Sequence, residues 1–172
     1  RDCSFENLPM FNNRNFHRMF TQNTHIYGPN SCGKKTYVQK WVKQRFPSEY
    51  NKWFNMEYEI KVERRINIKL YTREGSGHTE LMLRDVGNYE RYIVRHIIAS
   101  ICDKLCLCID GHLSKQYVII YNIHYLSTKS LTMLRNFTST YTNCIFILVS
   151  SNCSNVHKII ASSGLMSIRF IP

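Results

Sequence analysis

The sequence predicts an α/β fold with a mainly parallel sheet flanked by helices, and three observations support this prediction. Segments with strand character alternate with amphipathic helical segments along the 172 residues. Two strand segments, YVIIYNI (117–123) and CIFILVS (144–150), are continuous apolar runs, as expected for strands buried on both faces. A glycine-rich turn joins the first strand to the first helix. Strands and helices that alternate in this way form a parallel sheet covered by its helices.

The first half of the chain supplies a strand, a helix and an alternating segment. THIY (24–27) predicts the first strand, and the segment 34–46 predicts a helix that ends before Pro47. Five residues at helical spacing form the predicted inner face of this helix: Tyr37, Val38, Trp41, Val42 and Phe46. Residues 58–72 alternate between apolar and polar side chains and predict one or two strands, with a turn at 73–78 and a further strand at 79–83.

The second half adds two helices between the apolar strands. Residues 88–105 predict an amphipathic helix, and residues 128–141 predict another. The inner face predicted for the first of them consists of Tyr92, Ile93, His96, Ile97 and Ile101. The sequence contains neither an internal repeat nor a low-complexity segment.

The charge of the chain favours a polyanionic partner. Lys and Arg number 23 against 12 Asp and Glu, which gives a formal net charge of +11. The basic residues are spread along the chain, so a folded basic surface that contacts nucleic acid or an anionic membrane is favoured over a disordered arm. No apolar run approaches the roughly 20 residues of a membrane span.

Seven cysteines and no recognisable signal peptide predict free thiols in a reducing compartment. Four residues in one region invite comparison with a metal site: Cys102, Cys106, Cys108 and His112. Their spacing fits no common zinc pattern, and apolar residues run between them as in a buried element. We therefore expect no metal at this position.

The stretch YGPNSCGKKT (27–36) has the glycine spacing of a phosphate-binding loop, G-x-x-x-x-G-K. Its place between a strand and a helix is the setting in which backbone N–H groups and a helix N-terminus surround phosphates. The predicted nucleotide-binding residues are Gly28, Pro29, Asn30, Ser31, Cys32, Gly33, Lys34, Lys35 and Thr36, with ATP or ADP as ligand. Lys35 stands where the motif has its Mg²⁺-binding hydroxyl, which makes Mg²⁺ doubtful. The alternative is a Gly-Pro-Asn turn that opens an ordinary helix.

The same stretch resembles the P-loop of AAA+ clamp-loader (replication factor C) small subunits, above all the non-hydrolysing subunit whose loop reads G-P-x-G-x-G-K-K-T. The likeness continues at RDCSFENL (1–8), RDVGNYERYIVRHII (84–98), YVIIYNIHYLSTKSLTMLRNF (117–137) and CIFILVSSNCSNV (144–156). It implies that residues 1–172 form an AAA+ core domain. The lid and collar of the family would lie beyond Pro172.

The departures from the resembled family concern catalysis. The acidic pair that ends the Walker B strand is replaced by Tyr121, Asn122, Ile123 and His124. The arginine finger of the family's S-R-C segment falls at residues 162–164, Ser-Ser-Gly, where no Arg stands. Phosphoryl transfer needs metal, water and charge to be positioned together, so we expect a nucleotide site without catalysis. His124 as a catalytic base is a weaker alternative, because a lone His at a strand end is more often structural.

The resemblance also implies contacts. The sensor 1 position falls at Ser151 or Asn152, either of which could contact a phosphate. The helices that face DNA in the family carry Arg91, Arg95, Lys129, Ser130 and Arg135 here, which are the expected contacts to primer–template DNA. The implied partners are other subunits of a hetero-oligomeric ring and a sliding clamp.

The implied location is the nucleus, or a viral replication site if the chain comes from a large DNA virus, a source that its divergence and its His-, Asn-, Tyr- and Cys-rich composition would suit. Two other functions stay open: a divergent active P-loop ATPase or kinase, and a DNA-binding protein that kept the fold without the ring.

Overall fold

The computed structural model describes residues 19–47, 54–61, 65–75, 77–83, 87–104, 115–151, 154–162 and 164–171. The strands are β1 (Thr24–Gly28), β2 (Phe54–Lys61), β3 (Arg65–Glu74), β4 (His78–Met82), β5 (Gln116–Tyr121), β6 (Cys144–Ser151) and β7 (Met166–Arg169). Helix α1 is Lys34–Arg45, α3 is Thr128–Thr140 and α4 is Ser154–Ala161. Helix α2 covers residues 87–104 and joins a 3-10 turn (Gly87–Tyr89), an α-helical turn (Glu90–Tyr92), a π-helical segment (Ile93–Ile98) and a final α-helical segment (Ala99–Lys104).

The seven described strands form one sheet in the order β2-β3-β4-β5-β6-β1-β7. Strands β4, β5, β6, β1 and β7 pair in parallel, while β2 and β3 pair antiparallel with each other and β3 with β4. This confirms the predicted α/β fold with a mainly parallel sheet. The architecture agrees with the AAA+ core implied by the resemblance. None of the described helices has the length and apolar character needed to cross a membrane.

Apolar side chains cover both faces of the sheet. On one face, Tyr37, Val38, Trp41 and Val42 of α1 pack with Ile119 and Ile147 of the central strands. Trp41 is fully buried, with its ring centroid 4.9 Å from those of Phe20 and Tyr117. On the other face, α2, α3 and α4 pack against the alternate residues of the same strands. The continuous apolar runs are therefore explained, because β5 and β6 are covered on both sides.

Three sequence predictions need correction. The strands predicted within 58–72 are the antiparallel hairpin strands β2 and β3, but β2 begins earlier, at Phe54, and β3 continues through Arg73 and Glu74, where a turn was predicted. His96, predicted to face inward, is exposed, whereas Val94 and Ile98 are buried. The buried pairs 93/94, 97/98 and 101/102 recur every four residues, so the predicted spacing is right and the buried face is displaced by one residue. Helix α4 and strand β7 were not predicted.

Candidate phosphate-binding site

The glycine-rich loop leaves the sheet at the carboxyl end of β1, beside β7. Gly28 has a φ of 152°, and a Cβ atom at this position would lie 2.4 Å from the carbonyl oxygen of Phe170. The backbone N–H of Phe170 donates to the Tyr27 carbonyl at 2.7 Å, which holds the two segments together. A glycine is therefore required here by both conformation and space.

The loop enters helix α1 through Gly33, which has left-handed φ and ψ angles of 84° and 6°. The first hydrogen bond of the helix joins the N–H of Tyr37 to the Gly33 carbonyl at 2.9 Å. Ser31 is also left-handed, with a φ of 61°, although it carries a side chain. In the resembled loop G-P-x-G-x-G-K-K-T, the residue at this place is glycine. Ser31 thus holds a conformation that costs roughly 1 kcal/mol for an L-residue.

Lys34 lies inside the loop and is only 8% exposed. Its ammonium group donates to the Gly28 carbonyl at 2.8 Å and also to the Pro29 carbonyl. The Cys32 thiol donates to the same Pro29 carbonyl at 3.0 Å. The positive charge is therefore held within the curve of the loop, where a phosphate group in the cavity would meet it.

A cavity of about 350 Å³ opens in front of the loop at the carboxyl edge of the sheet. Its walls come from the loop, the start of α1 and the ends of β4, β5 and β6. The lining residues are Asn30, Ser31, Cys32, Gly33, Lys34, Lys35, Thr36, Met82, Tyr121, Asn122, His124, Val149, Ser150 and Ser151. The structure thus brings together seven of the nine predicted nucleotide-binding residues with three of the four residues at which the resemblance puts the acidic end of the Walker B strand.

Two of these residues, Asn122 and His124, form hydrogen bonds with the backbone of neighbouring segments. Asn122 has a φ of 63°, and its amide donates to the Leu83 carbonyl at 3.3 Å. His124 accepts a 3.3 Å hydrogen bond at Nδ1 from the N–H of Ser151, which places its own proton on Nε2. Burial, with the charge of Lys34 as a second cause, lowers the pKa of His124. A neutral imidazole in this position links the end of β5 to the end of β6.

The hydroxyl of Tyr121 contacts the buried carboxylate of Glu80, a residue that the sequence did not point to. The Tyr121 phenol donates to Glu80 Oε2 at 2.7 Å, and Arg73 Nε donates to Oε1 at 2.5 Å. Glu80 is 0% and Arg73 2% exposed. Burial raises the pKa of Glu80, while Arg73, the bond from Tyr121 and the charge of Lys35 act in the opposite direction. A glutamate inside an apolar strand was the only sign of this buried group in the sequence. Its partners could not be identified, because Arg73 and Tyr121 lie on other strands.

The two sensor 1 candidates differ in what the structure describes. Ser151 lines the cavity at the end of β6, while Asn152 lies outside the described residues. Ser150 also lines the cavity, and its hydroxyl lies 2.8 Å from Nε2 of the buried His25. A phosphate in the cavity would therefore meet neutral hydroxyl groups on this wall.

The predicted DNA-contacting residues lie on α2 and α3. Arg91, Arg95 and Lys129 are exposed, and Arg135 is half-buried with a 3.2 Å hydrogen bond to Ser162 Oγ. Ser130 is 1% exposed, and its N–H is capped by Ser127 Oγ at 3.4 Å, so its hydroxyl is not displayed to solvent.

The starts of α2 and α3 are joined by a side chain of α2. Oε2 of Glu90 accepts a 2.6 Å hydrogen bond from the N–H of Ser127. The two helices that carry the basic residues are therefore fixed side by side at their first turns.

The chain is similar in sequence to subunits of replication factor C. It is 29% identical over 144 residues to replication factor C subunit 3 of Arabidopsis thaliana, which covers 81% of this chain and 41% of that protein. It is 27% identical over 144 residues to replication factor C subunit 5 of rice (Oryza sativa subsp. japonica), with the same shares covered. The chain is a distant homologue of replication factor C subunits.

Replication factor C subunit 5 of Schizosaccharomyces pombe is 25% identical over 144 residues, which cover 82% of this chain and 40% of that protein. The chain thus spans about two fifths of the length of the curated relatives it matches. No model of a known protein family matches the chain.

Two other candidates from the sequence lie partly outside the described residues. Where the resemblance puts the arginine finger, Ser162 is exposed and Gly164 has a φ of 72°, while Ser163 is not described. Of the four residues considered as a metal set, Cys102 is buried in α2, and Cys106, Cys108 and His112 lie outside the described residues. The expectation that they bind no metal stays a prediction.

Proposed function

We propose that this chain forms the AAA+ core of a non-catalytic clamp-loader subunit that acts in DNA replication. The proposal rests on one observation above all: the cavity joins a glycine-rich loop to the end of β5, and Tyr121, Asn122 and His124 line it where catalytic acids would be needed. The distant homology to replication factor C subunits supports the clamp-loader role.

The absence of catalysis follows from what phosphoryl transfer requires. A metal ion must neutralise the β- and γ-phosphate oxygens, and an acidic residue or a comparable group must position the attacking water. Among the described residues that line the cavity, none is Asp or Glu. Glu80 lies behind Tyr121 with both carboxylate oxygens in hydrogen bonds, so it cannot take over the role of the lost acids.

In this proposal the subunit binds ADP or ATP weakly or not at all. The loop supports binding through the charge of Lys34 and the backbone N–H groups at the start of α1. The left-handed conformation of Ser31 and the lack of a carboxylate among the described lining residues oppose it. The domain contributes structure to a ring of clamp-loader subunits, and Arg91, Arg95, Lys129 and Arg135 help to hold primer–template DNA while a sliding clamp is loaded. Its place of action is then the nucleus or another site of DNA replication.

An ATPase measurement tests the proposal. The protein is assayed with Mg²⁺, primer–template DNA and a sliding clamp, beside a Lys34→Ala variant. We expect turnover at background for both, and we expect Lys35→Thr to stay at background as well because the acids are still missing. Hydrolysis by the wild type that disappears in Lys34→Ala would favour the alternative of an active P-loop ATPase.

A further inference from the structure

Nucleotide sites of this fold family use Mg²⁺, and the described residues of the cavity do not fit this ion. Mg²⁺ in phosphate sites is held by one or two carboxylates, or by a hydroxyl group beside them, together with the phosphates themselves. The lining supplies no carboxylate among the residues that the structure describes. Lys35 takes the place of the hydroxyl that follows the loop lysine, and an ammonium group has no lone pair to offer a metal.

The carboxylate behind the cavity cannot serve instead. Glu80 is fully buried, Arg73 donates to one of its oxygens, and Tyr121 donates to the other. Tyr121 also lines the cavity, whereas Glu80 does not. The negative charge of Glu80 is thus already matched by a guanidinium group.

The groups that do line the cavity favour an anion. Lys34 and Lys35 both line it and each carries a positive charge, and the start of α1 contributes N–H groups with the positive end of the helix dipole. The pKa of His124 is lowered first by burial and then by Lys34, a sign that positive potential reaches this wall. Such a potential repels a divalent cation and attracts a polyphosphate.

We propose that this site takes the polyphosphate of a nucleoside diphosphate or triphosphate as the metal-free anion, with Lys35 supplying charge that Mg²⁺ supplies elsewhere. This inference rests on one part of the proposed function, namely that the site binds a nucleotide. Binding is then competed by Mg²⁺, because Mg²⁺ removes the free anion and brings a second cation towards Lys35.

Calorimetric titration of the full protein with ADP and with ATP tests this, once in EDTA and once in excess Mg²⁺ at matched ionic strength. We expect affinity about tenfold higher in EDTA, which corresponds to about 1.4 kcal/mol. Lys35→Thr, which restores the hydroxyl and removes the charge, should bring the two affinities close together. Lys43→Thr is the matched control, because it removes an equal charge from an exposed position near the other end of α1 and should leave the ratio unchanged.

The outcomes separate this inference from the proposed function. Tighter binding in Mg²⁺ than in EDTA overturns the inference and leaves a nucleotide-binding subunit. The inference is also overturned if Lys35→Thr and Lys43→Thr change the ratio of the affinity in EDTA to that in Mg²⁺ equally, because the effect would then be one of net charge. No binding under either condition overturns it too, while the clamp-loader role stands, since that role does not require nucleotide.

Discussion

The hydroxyl of Tyr121 at the end of β5 lies 2.7 Å from the carboxylate of Glu80, so a residue that lines the cavity donates a hydrogen bond to an acid on the neighbouring strand. In the β4–β5 register, Glu80 lies opposite Ile119, and Tyr121 is two residues further on the same face. Arg73 stands directly across from Glu80 on β3. The three residues connect the antiparallel edge of the sheet to the wall of the cavity.

The first prediction concerns this buried group. Glu80→Gln should lower the free energy of unfolding by about 3 kcal/mol at neutral pH, because the buried Arg73 guanidinium loses its opposing charge. The double variant Arg73→Met with Glu80→Gln should lose less than the sum of the single losses, as measured by urea denaturation. Glu57→Gln, which changes an exposed glutamate of β2, is the control and should change stability by less than about 0.5 kcal/mol. Additive losses would show that Arg73 and Glu80 do not interact.

This group also marks the limit of prediction from sequence. The strand–loop–helix unit around Gly28 and Lys34 was predictable because its signals are local, and the inner face of α1 was confirmed at Tyr37, Val38, Trp41 and Val42. The pairing of Glu80 with Arg73 and Tyr121 depends on which strands become neighbours, and no periodicity in the sequence carries that information.

The misplaced and missed elements have local causes. His96 is exposed because the buried face of α2 lies one residue further along than predicted, at 93/94, 97/98 and 101/102, and a shift of one residue is hard to read where apolar residues are frequent. Strand β7 has only four residues, which alternate between half-buried and exposed, and its sequence contains no apolar run that would predict a strand. Short edge strands of this kind give weak sequence signals.

The second prediction concerns the loop. Ser31→Gly should raise the free energy of unfolding by up to about 1 kcal/mol, because glycine adopts a φ of 61° without a steric cost. The gain is reduced by the greater freedom of glycine in the unfolded chain. Denaturation curves measure the difference. Ser100→Gly in α2 is the comparison, since glycine at an exposed position inside a helix should cost about 0.5 kcal/mol relative to serine. Equal losses at both positions would show that Ser31 is not strained.

The third prediction concerns pH. The pKa of His124 is lowered in the folded protein, first by burial and then by Lys34, so the unfolded chain binds this proton more tightly. Stability from this group is therefore present above the ordinary pKa of about 6.5 and is lost as the pH falls below it. His124→Gln should lose less stability than the wild type between about pH 7.5 and about pH 5.5.

His96→Gln is the control for this comparison, because His96 is exposed on α2. Thermal unfolding at several pH values gives the comparison for all three proteins. If His124→Gln and His96→Gln change the pH dependence of stability by the same amount, the environment of His124 has no special effect.

The last prediction concerns DNA. Net charge attracts any duplex, so weak binding alone proves little, and the informative quantity is where the charge acts. Replacement of Arg91, Arg95, Lys129 and Arg135 by Ala should lower both the affinity and the steepness of its dependence on salt. The slope of log K against log salt should fall by about 0.9 for each duplex phosphate contact that is lost. Binding is measured by fluorescence anisotropy with primer–template DNA, on the full protein or its ring.

The control set removes equal charge from α1 and the edge hairpin: Lys40, Lys43, Arg45 and Lys69. These residues lie on elements other than α2 and α3, so their replacement should lower the affinity slightly and change the slope much less. If both sets change the slope equally, the attraction is diffuse, and the two helices joined by Glu90 and Ser127 do not form a DNA-binding face. The clamp-loader proposal would then depend on homology alone, because no surface of the domain would have been identified as the one that contacts DNA.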